Sequence, residues 1–134
     1  PASGPVDYVF VVDRSHGTAP ELWSAARGVV DTTVAALGGE DRVAVLACDS
    51  ACDAWEPELG KIHEGTRKQI DAFLGSQELG GASDIGNMLE HAATSFADAG
   101  NTDAERVIVY LGDGVPTSGA LTPARSANCW LQPR

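Results

Sequence analysis

Three runs of nearly continuous apolar residues limit what this chain can fold into. Val6-Asp7-Tyr8-Val9-Phe10-Val11-Val12 is rich in β-branched and aromatic side chains and ends at Asp13. Arg42 to Cys48 (RVAVLAC) and Arg106 to Leu111 (RVIVYL) repeat the pattern. Strands that are apolar on both faces belong inside a sheet covered on both sides. Helical spacing fills the intervals. Thr18-Ala19-Pro20-Glu21 reads as a capping box with Pro in the first turn. Leu22, Ala26, Val29, Thr33 and Leu37 follow on one stripe, widened by Val30 and Val34, and Gly38-Gly39 stops the helix. A short helix from about Glu64 to Leu74 carries Ile70, Phe73 and Leu74 on one side. A third, capped by Ser83, presents Ile85, Met88, Leu89, Ala92 and Phe96. Ala54-Trp55 reads as a short edge strand closed by Pro57. Strands alternating with helices predict an α/β domain wound on both faces of a mainly parallel sheet.

At 134 residues one domain over residues 1–134 is expected. The pattern is legible from 6 to 123. Residues 124–134 form an unassigned tail in which Ala124 to Arg134 could start a helix. Nine Lys and Arg against nineteen Asp and Glu give a formal charge of −10. Such a chain is a poor partner for nucleic acid, where Lys and Arg must neutralise phosphates. It is equally poor for an anionic membrane surface. A divalent cation or a protein partner is compatible. No stretch approaches the roughly 20 apolar residues of a membrane span, and no signal peptide is present. The chain starts Pro1-Ala2-Ser3-Gly4-Pro5 without Met, as expected of an excised or processed piece. Secreted, periplasmic or cell-surface placement is favoured over cytoplasmic. Cys48, Cys52 and Cys129 are odd in number, which excludes a complete internal disulfide framework. Cys48 and Cys52 can form a bridge or stand as two thiols.

Ligands of open parallel sheets bind beyond the carboxyl ends of the strands. Asp13-Arg14-Ser15-His16-Gly17 follows the first strand and Gly112-Asp113-Gly114 the last. Gly81-Ala82-Ser83-Asp84 leads into the third helix. Through Asp13, Asp113, Ser15 and Ser83 these loops offer two strand-end carboxylates and two hydroxyls, hard oxygen donors of the kind Mg²⁺, Ca²⁺ and Mn²⁺ take. No His pair stands at helical i, i+4 spacing.

In this order these segments resemble the von Willebrand factor type A domain. That family carries Asp-x-Ser-x-Ser after its first strand, a Thr before its third helix and an Asp after its fourth strand. Asp13-Arg14-Ser15-His16-Gly17 matches the first segment, and Gly81-Ala82-Ser83-Asp84-Ile85 resembles Gly-Gly-Thr-Asp-Ile. Leu111-Gly112-Asp113-Gly114-Val115-Pro116-Thr117 is similar to Thr-Asp-Gly-x-Pro, and Gly39 to Val45 to the approach to the second strand. The likeness runs from about Val6 to Pro123 and leans toward the branch of inter-α-trypsin inhibitor heavy chains and their bacterial relatives. It implies a doubly wound, Rossmann-like fold and a metal-ion-dependent adhesion site. Asp13, Ser15, Ser83 and Asp113 would hold Mg²⁺, or Ca²⁺ or Mn²⁺, and a partner carboxylate would complete the shell. His16, Gly17, Asp84 and Val115 would face the partner protein. Gly17 replaces the family's second Ser, His16 stands where Gly is common, and Ser83 replaces Thr. A water can stand in for the lost hydroxyl, because Mg²⁺ keeps several waters.

The resemblance implies a binding module and no enzyme. Two alternatives stand beside it. One is a module of the same fold with a dead metal site. The other is a metal-assisted phosphohydrolase with Asp13 as nucleophile, although Ser15 stands where such enzymes carry a second Asp. Plainer roles also fit single residues. Asp13 and Asp113 suit turns, Ser83 suits a helix cap, and Thr18 suits its capping box better than a shifted ligand. His16 reads as a rim residue, and His63 and His91 as solvated. Trp23 and Trp55 read as packing, with Trp130 in the tail. Glu40, Asp41, Glu56, Glu58 and Asp71 read as a solvated face. Family members continue past the Asp-Gly-x-Pro loop through further strand–helix units, which this chain is expected to lack. Arg106–Leu111 should then lie at an open sheet edge, or be covered by another copy of the chain through self-association.

Overall fold

In a computed structural model of the protein, residues 4–15, 19–96, 104–112 and 129–133 are described. Val9, Phe10, Val11 and Val12 have no exposed surface, because strand β1 (Val6–Asp13) runs through the middle of the sheet. Parallel neighbours flank it: β2 (Arg42–Cys48) on one side and β5 (Glu105–Leu111) on the other. The short strands β3 (Cys52–Ala54) and β4 (Gly60–Lys61) pair antiparallel with β2. On the far side β6 (Cys129–Pro133) runs antiparallel to β5. The order along the sheet is β3-β2-β1-β5-β6.

Side chains alternate across these strands, and both faces are covered. Phe10, Val12, Val43, Val45, Val107 and Val109 pack with Trp23, Val30 and Val34 of α1 (Pro20–Ala35) and with Ile70 and Leu74 of α2 (Thr66–Gly75). Val9, Val11, Ala44, Leu46, Ile108 and Tyr110 pack on the opposite face with Ile85, Met88 and Ala92 of α3 (Ile85–Ser95). Each fully buried Val or Ile contributes about 1.5–3 kcal/mol of transfer free energy. The doubly wound, mainly parallel α/β architecture is as expected. Trp23 and Trp55 join the α1/α2 core, also as expected.

Several local expectations are corrected. The N-cap of α1 is Ala19, which offers no side-chain cap, and Pro20 sits in the first turn. Thr18, the expected cap, lies outside the described residues. Pro at this position lacks only an N–H that no helix partner would take, so α1 starts without a capping box. The helix ends at Ala35, before Gly38-Gly39. Asp41 organises the link that follows: its Oδ2 accepts the Gly38 N–H at 2.8 Å and its Oδ1 the Val6 N–H at 2.8 Å. It is a structural pin, whereas Glu40, Glu56, Glu58 and Asp71 are exposed as anticipated. Asp7, unremarked in the sequence, is fully buried and receives two hydrogen bonds from Arg42, at 2.9 and 2.6 Å.

The tail is the largest correction. It supplies β6, whose register runs from Val107↔Pro133 to Leu111↔Cys129. Strand β5 therefore has a partner on each side and needs no second copy of the chain to cover it. The row of N–H and C=O groups along β5 is a template for whatever chain can reach it. Cys129-Trp130-Leu131 followed by Gln132-Pro133 is too short to carry a period that a sequence reading could detect. Pro133 closes the strand where a missing donor costs little. Cys48 and Cys52, left open above, are joined as a disulfide across the antiparallel β2–β3 pair.

Candidate functional site

Strand β1 has β2 on one side and β5 on the other, and the chain passes from β2 to the far side of β1 by way of α2 and α3. This is the crevice where open α/β sheets bind ligands. Asp13 is the last residue of β1. Its odd position gives it the parity of Val9 and Val11, which face α3. Asp13 and Ser83 are each 1 % exposed and Ser15 is 2 % exposed.

Three donors converge on the Asp13 carboxylate. The Ser15 backbone N–H donates to Oδ1 at 2.8 Å, folding the loop back over its own aspartate in the manner of an Asx turn. The Ser83 hydroxyl donates to Oδ2 at 3.2 Å, across seventy positions of sequence. The Tyr110 hydroxyl donates to the same oxygen at 2.9 Å. A buried carboxylate needs such partners.

Ser83 reaches Asp13 because it is not the cap of α3. That role belongs to Asp84, whose side chain accepts the Asn87 N–H at 3.0 Å. The expected Ser83 cap is thus corrected by one residue. An Asp is as good a cap as a Ser, and two adjacent candidates cannot be ranked without the backbone path.

Tyr110 was not singled out in the sequence. Its register partner in β1 is Val11, so its ring lies on the α3 face and its hydroxyl points toward the strand end. The available signal was a polar-tipped aromatic in an otherwise aliphatic run, followed by Gly112. A β-carbon at Gly112 would fall 2.6 Å from the Asp13 β-carbon and on top of the Tyr110 hydroxyl. Only glycine leaves room for this contact.

Arg14 was also passed over. Its guanidinium bonds Asp53 at 2.6 Å, Gln77 at 2.6 Å and Asp49 at 3.3 Å. Burial opposes its charge, but the hydrogen bonds and charges of Asp53 and Asp49 outweigh that and raise its pKa. Gly81, at φ +87°, passes so close to Asp49 that a β-carbon there would fall 2.7 Å from the carboxylate. That conformation suits glycine.

Of the residues expected at the site, Asp13, Ser15 and Ser83 gather within one buried cluster, with Asp84 beside them at half-buried exposure. His16, Gly17, Asp113 and Val115 lie outside the described residues. His63 and His91 are exposed, and His63 accepts the Gly65 N–H at 3.1 Å. Among the described residues, no three of His, Cys, Asp and Glu gather as metal ligands. A cation here would rest on hydroxyl oxygens beside Asp13. The donor set suits that use. Ser83 gives its only proton to Asp13, so toward any further partner its oxygen is an acceptor. Oxygen acceptors are what Mg²⁺ and Ca²⁺ take. No helix of the described residues is long and apolar enough to cross a membrane.

A family model described as von Willebrand factor type A domain matches residues 6–126. No curated protein matches the chain. Among solved structures, a pilus adhesin, SpaC, from Lactobacillus rhamnosus GG superposes with a TM-score of 0.72 at 24% identity, over 87% of this chain and 16% of its own. Three N-terminal domains of a type V pili tip protein from Porphyromonas gingivalis give 0.71 at 17% identity, over 90% of this chain and 22% of their own. An aerotolerance-related membrane protein from Bacteroides fragilis gives 0.69 at 20% identity, over 85% and 57%. The chain thus spans well under two thirds of each of these structures, and the likeness is one of fold.

Proposed function

The chain belongs to the von Willebrand factor type A domain family, and from that premise we propose that it is a non-enzymatic protein-binding module of adhesive type. Its binding site is the crevice at the carboxyl ends of β1 and β5. The observation that carries this reading is the Ser83–Asp13 hydrogen bond. It joins two of the family's motif segments, distant in sequence, into one buried oxygen cluster at the switch point.

In this reading Asp13, Ser15, Ser83 and Asp113 hold a divalent cation, Mg²⁺ or else Ca²⁺ or Mn²⁺, directly or through water. The cation would supply an open coordination position for a carboxylate of the partner. The chain's own residues do the rest. Asp13, fixed by three donors, provides negative charge. Ser83 and Ser15 provide neutral oxygens. His16, Gly17, Asp84 and Val115 form the rim that meets the partner. Nothing is turned over. The disulfide supports placement outside the reducing cytosol. So does the likeness to a pilus adhesin and a pili tip protein.

A second reading, a module of this fold that binds without a metal, is favoured by Tyr110. Its hydroxyl supplies Asp13 with a proton donor from within the fold, so the buried carboxylate has partners without an ion.

Calorimetric titration with Mg²⁺, Mn²⁺ and Ca²⁺ separates the two. Heat and a raised melting temperature with at least one ion, both lost in Asp113→Ala, are expected. Silence with all three ions would leave the metal-free reading. Hydrolysis of a generic phosphate ester that disappears in Asp13→Asn would overturn both in favour of an enzyme.

A further inference from the structure

We infer that Arg14 is a positioning residue of the site, and that it acts as the clamp through which the disulfide-closed turn Cys48–Cys52 sets the geometry of both binding loops. This deepens the reading of Asp13, Ser15 and Ser83 as the binding site and rests on it.

Arg14 stands between Asp13 and Ser15, yet its side chain is only 12 % exposed. It spends its donors on three separate elements. Asp49 and Asp53 lie in and just after the β2–β3 turn, and Gln77 follows α2. The backbone of Arg14 is tied on both sides as well. Its N–H donates to the Cys48 carbonyl at 2.7 Å, and its carbonyl accepts the Gly80 N–H at 2.9 Å.

The turn from Cys48 to Cys52 thus touches the loop after β1, the loop before α3 and α3 itself. Asp49 grips Arg14 from one side and packs against Gly81 on the other. The Ser50 carbonyl accepts from the Asn87 side chain of α3 at 3.1 Å. Asp49 also closes its own turn, with its Oδ1 accepting the Ala51 N–H at 2.9 Å. A turn only three residues between its cysteines, closed by a covalent bond, has little freedom to shift. A planar guanidinium with five fixed donors is the side chain that can bridge several carboxylate and amide oxygens at once. Lys concentrates three rotatable donors on one nitrogen and lacks the spread fork that reaches these separate acceptors.

Amide hydrogen exchange of the ion-free protein reads this directly. The Ser15 and Gly80 amides report on the two loops, since each donates one of the bonds described above. Their protection is expected to fall about tenfold or more in Arg14→Ala, in Arg14→Lys and in the Cys48→Ala/Cys52→Ala variant. Protection at Val9 and Val109 should hold in all of them, which certifies a folded core. In a variant combining Arg14→Ala with Cys48→Ala/Cys52→Ala the losses should fail to add, as for residues acting through one network. Wild-type protein in dithiothreitol gives the same test without substitution. The reagent supplies the two electrons and two protons that turn the disulfide into two thiols. Unchanged protection at Ser15 and Gly80 in Arg14→Lys and in the reduced wild type would overturn the proposal, and so would strictly additive losses. No ion enters these measurements, so failure of metal binding and failure of the clamp are read separately.

Discussion

The Tyr110 hydroxyl donates to Asp13 Oδ2 at 2.9 Å, and the space it occupies exists because residue 112 is glycine. Adding one methyl at Gly112→Ala should force apart the ends of β1 and β5, at a cost of about 1–3 kcal/mol. Denaturant unfolding would measure it. Tyr110→Phe removes a donor from a buried carboxylate and should cost about 1–3 kcal/mol. A neutral result for Tyr110→Phe would show that Asp13 does not depend on this contact.

The adjacent residues Ser83 and Asp84 have separable jobs. Asp84→Ala removes the cap of α3 and should lower stability by about 0.5–2 kcal/mol. Ser83→Ala removes an oxygen from the proposed cation shell and should abolish the ion-induced rise in melting temperature. Loss of that rise in Asp84→Ala, with Ser83→Ala unaffected, would reverse the assignment.

The Asp7–Arg42 pair is buried on the aspartate side, where the side chain is 1 % exposed. The hydrogen bond to Asp7 holds the Arg42 guanidinium above its usual pKa, against a smaller opposing effect of burial. Arg42→Ala leaves an uncompensated buried carboxylate and should destabilise by about 3–5 kcal/mol. Asp7→Asn in the same background should recover part of that loss, a result that chemical denaturation can read.

Asp31 and Arg67 join α1 to α2 at 2.8 Å on the surface. The Arg67 hydrogen bond holds the Asp31 carboxyl below the ordinary range. A lowered folded-state pKa means that the pair's contribution is present above the unfolded pKa. It is lost as pH falls through the folded value. Both groups are well exposed, so the contribution is small. The Arg67→Ala and wild-type melting temperatures should therefore differ slightly at neutral pH and converge in strong acid. A gap that widens on acidification would contradict the sign.

Much of the fold was legible because it rests on local pattern. The runs ending at Asp13, Cys48 and Leu111 are apolar on both faces, and only a central parallel sheet buries both faces. The two loops carrying Asp13 and Ser83 were legible for a related reason, since strand ends and helix starts demand polar residues there. Asp7 and Arg42 were not. They are thirty-five positions apart and become neighbours only through the β1–β2 register.

The sequence by itself determined the alternation of strands and helices, the covered faces of the sheet and the oxygen-rich chemistry of the loops beyond it. These follow from side-chain polarity and period, which are properties of neighbours along the chain. Tertiary structure alone decided that the tail closes the sheet as β6, that Asp84 and not Ser83 caps α3, and that Tyr110 shares Asp13 with Ser83. Each depends on which strand edge, helix start or buried oxygen a distant group can reach. Reach is set by register and crossing geometry, and these exist only once the sheet has formed.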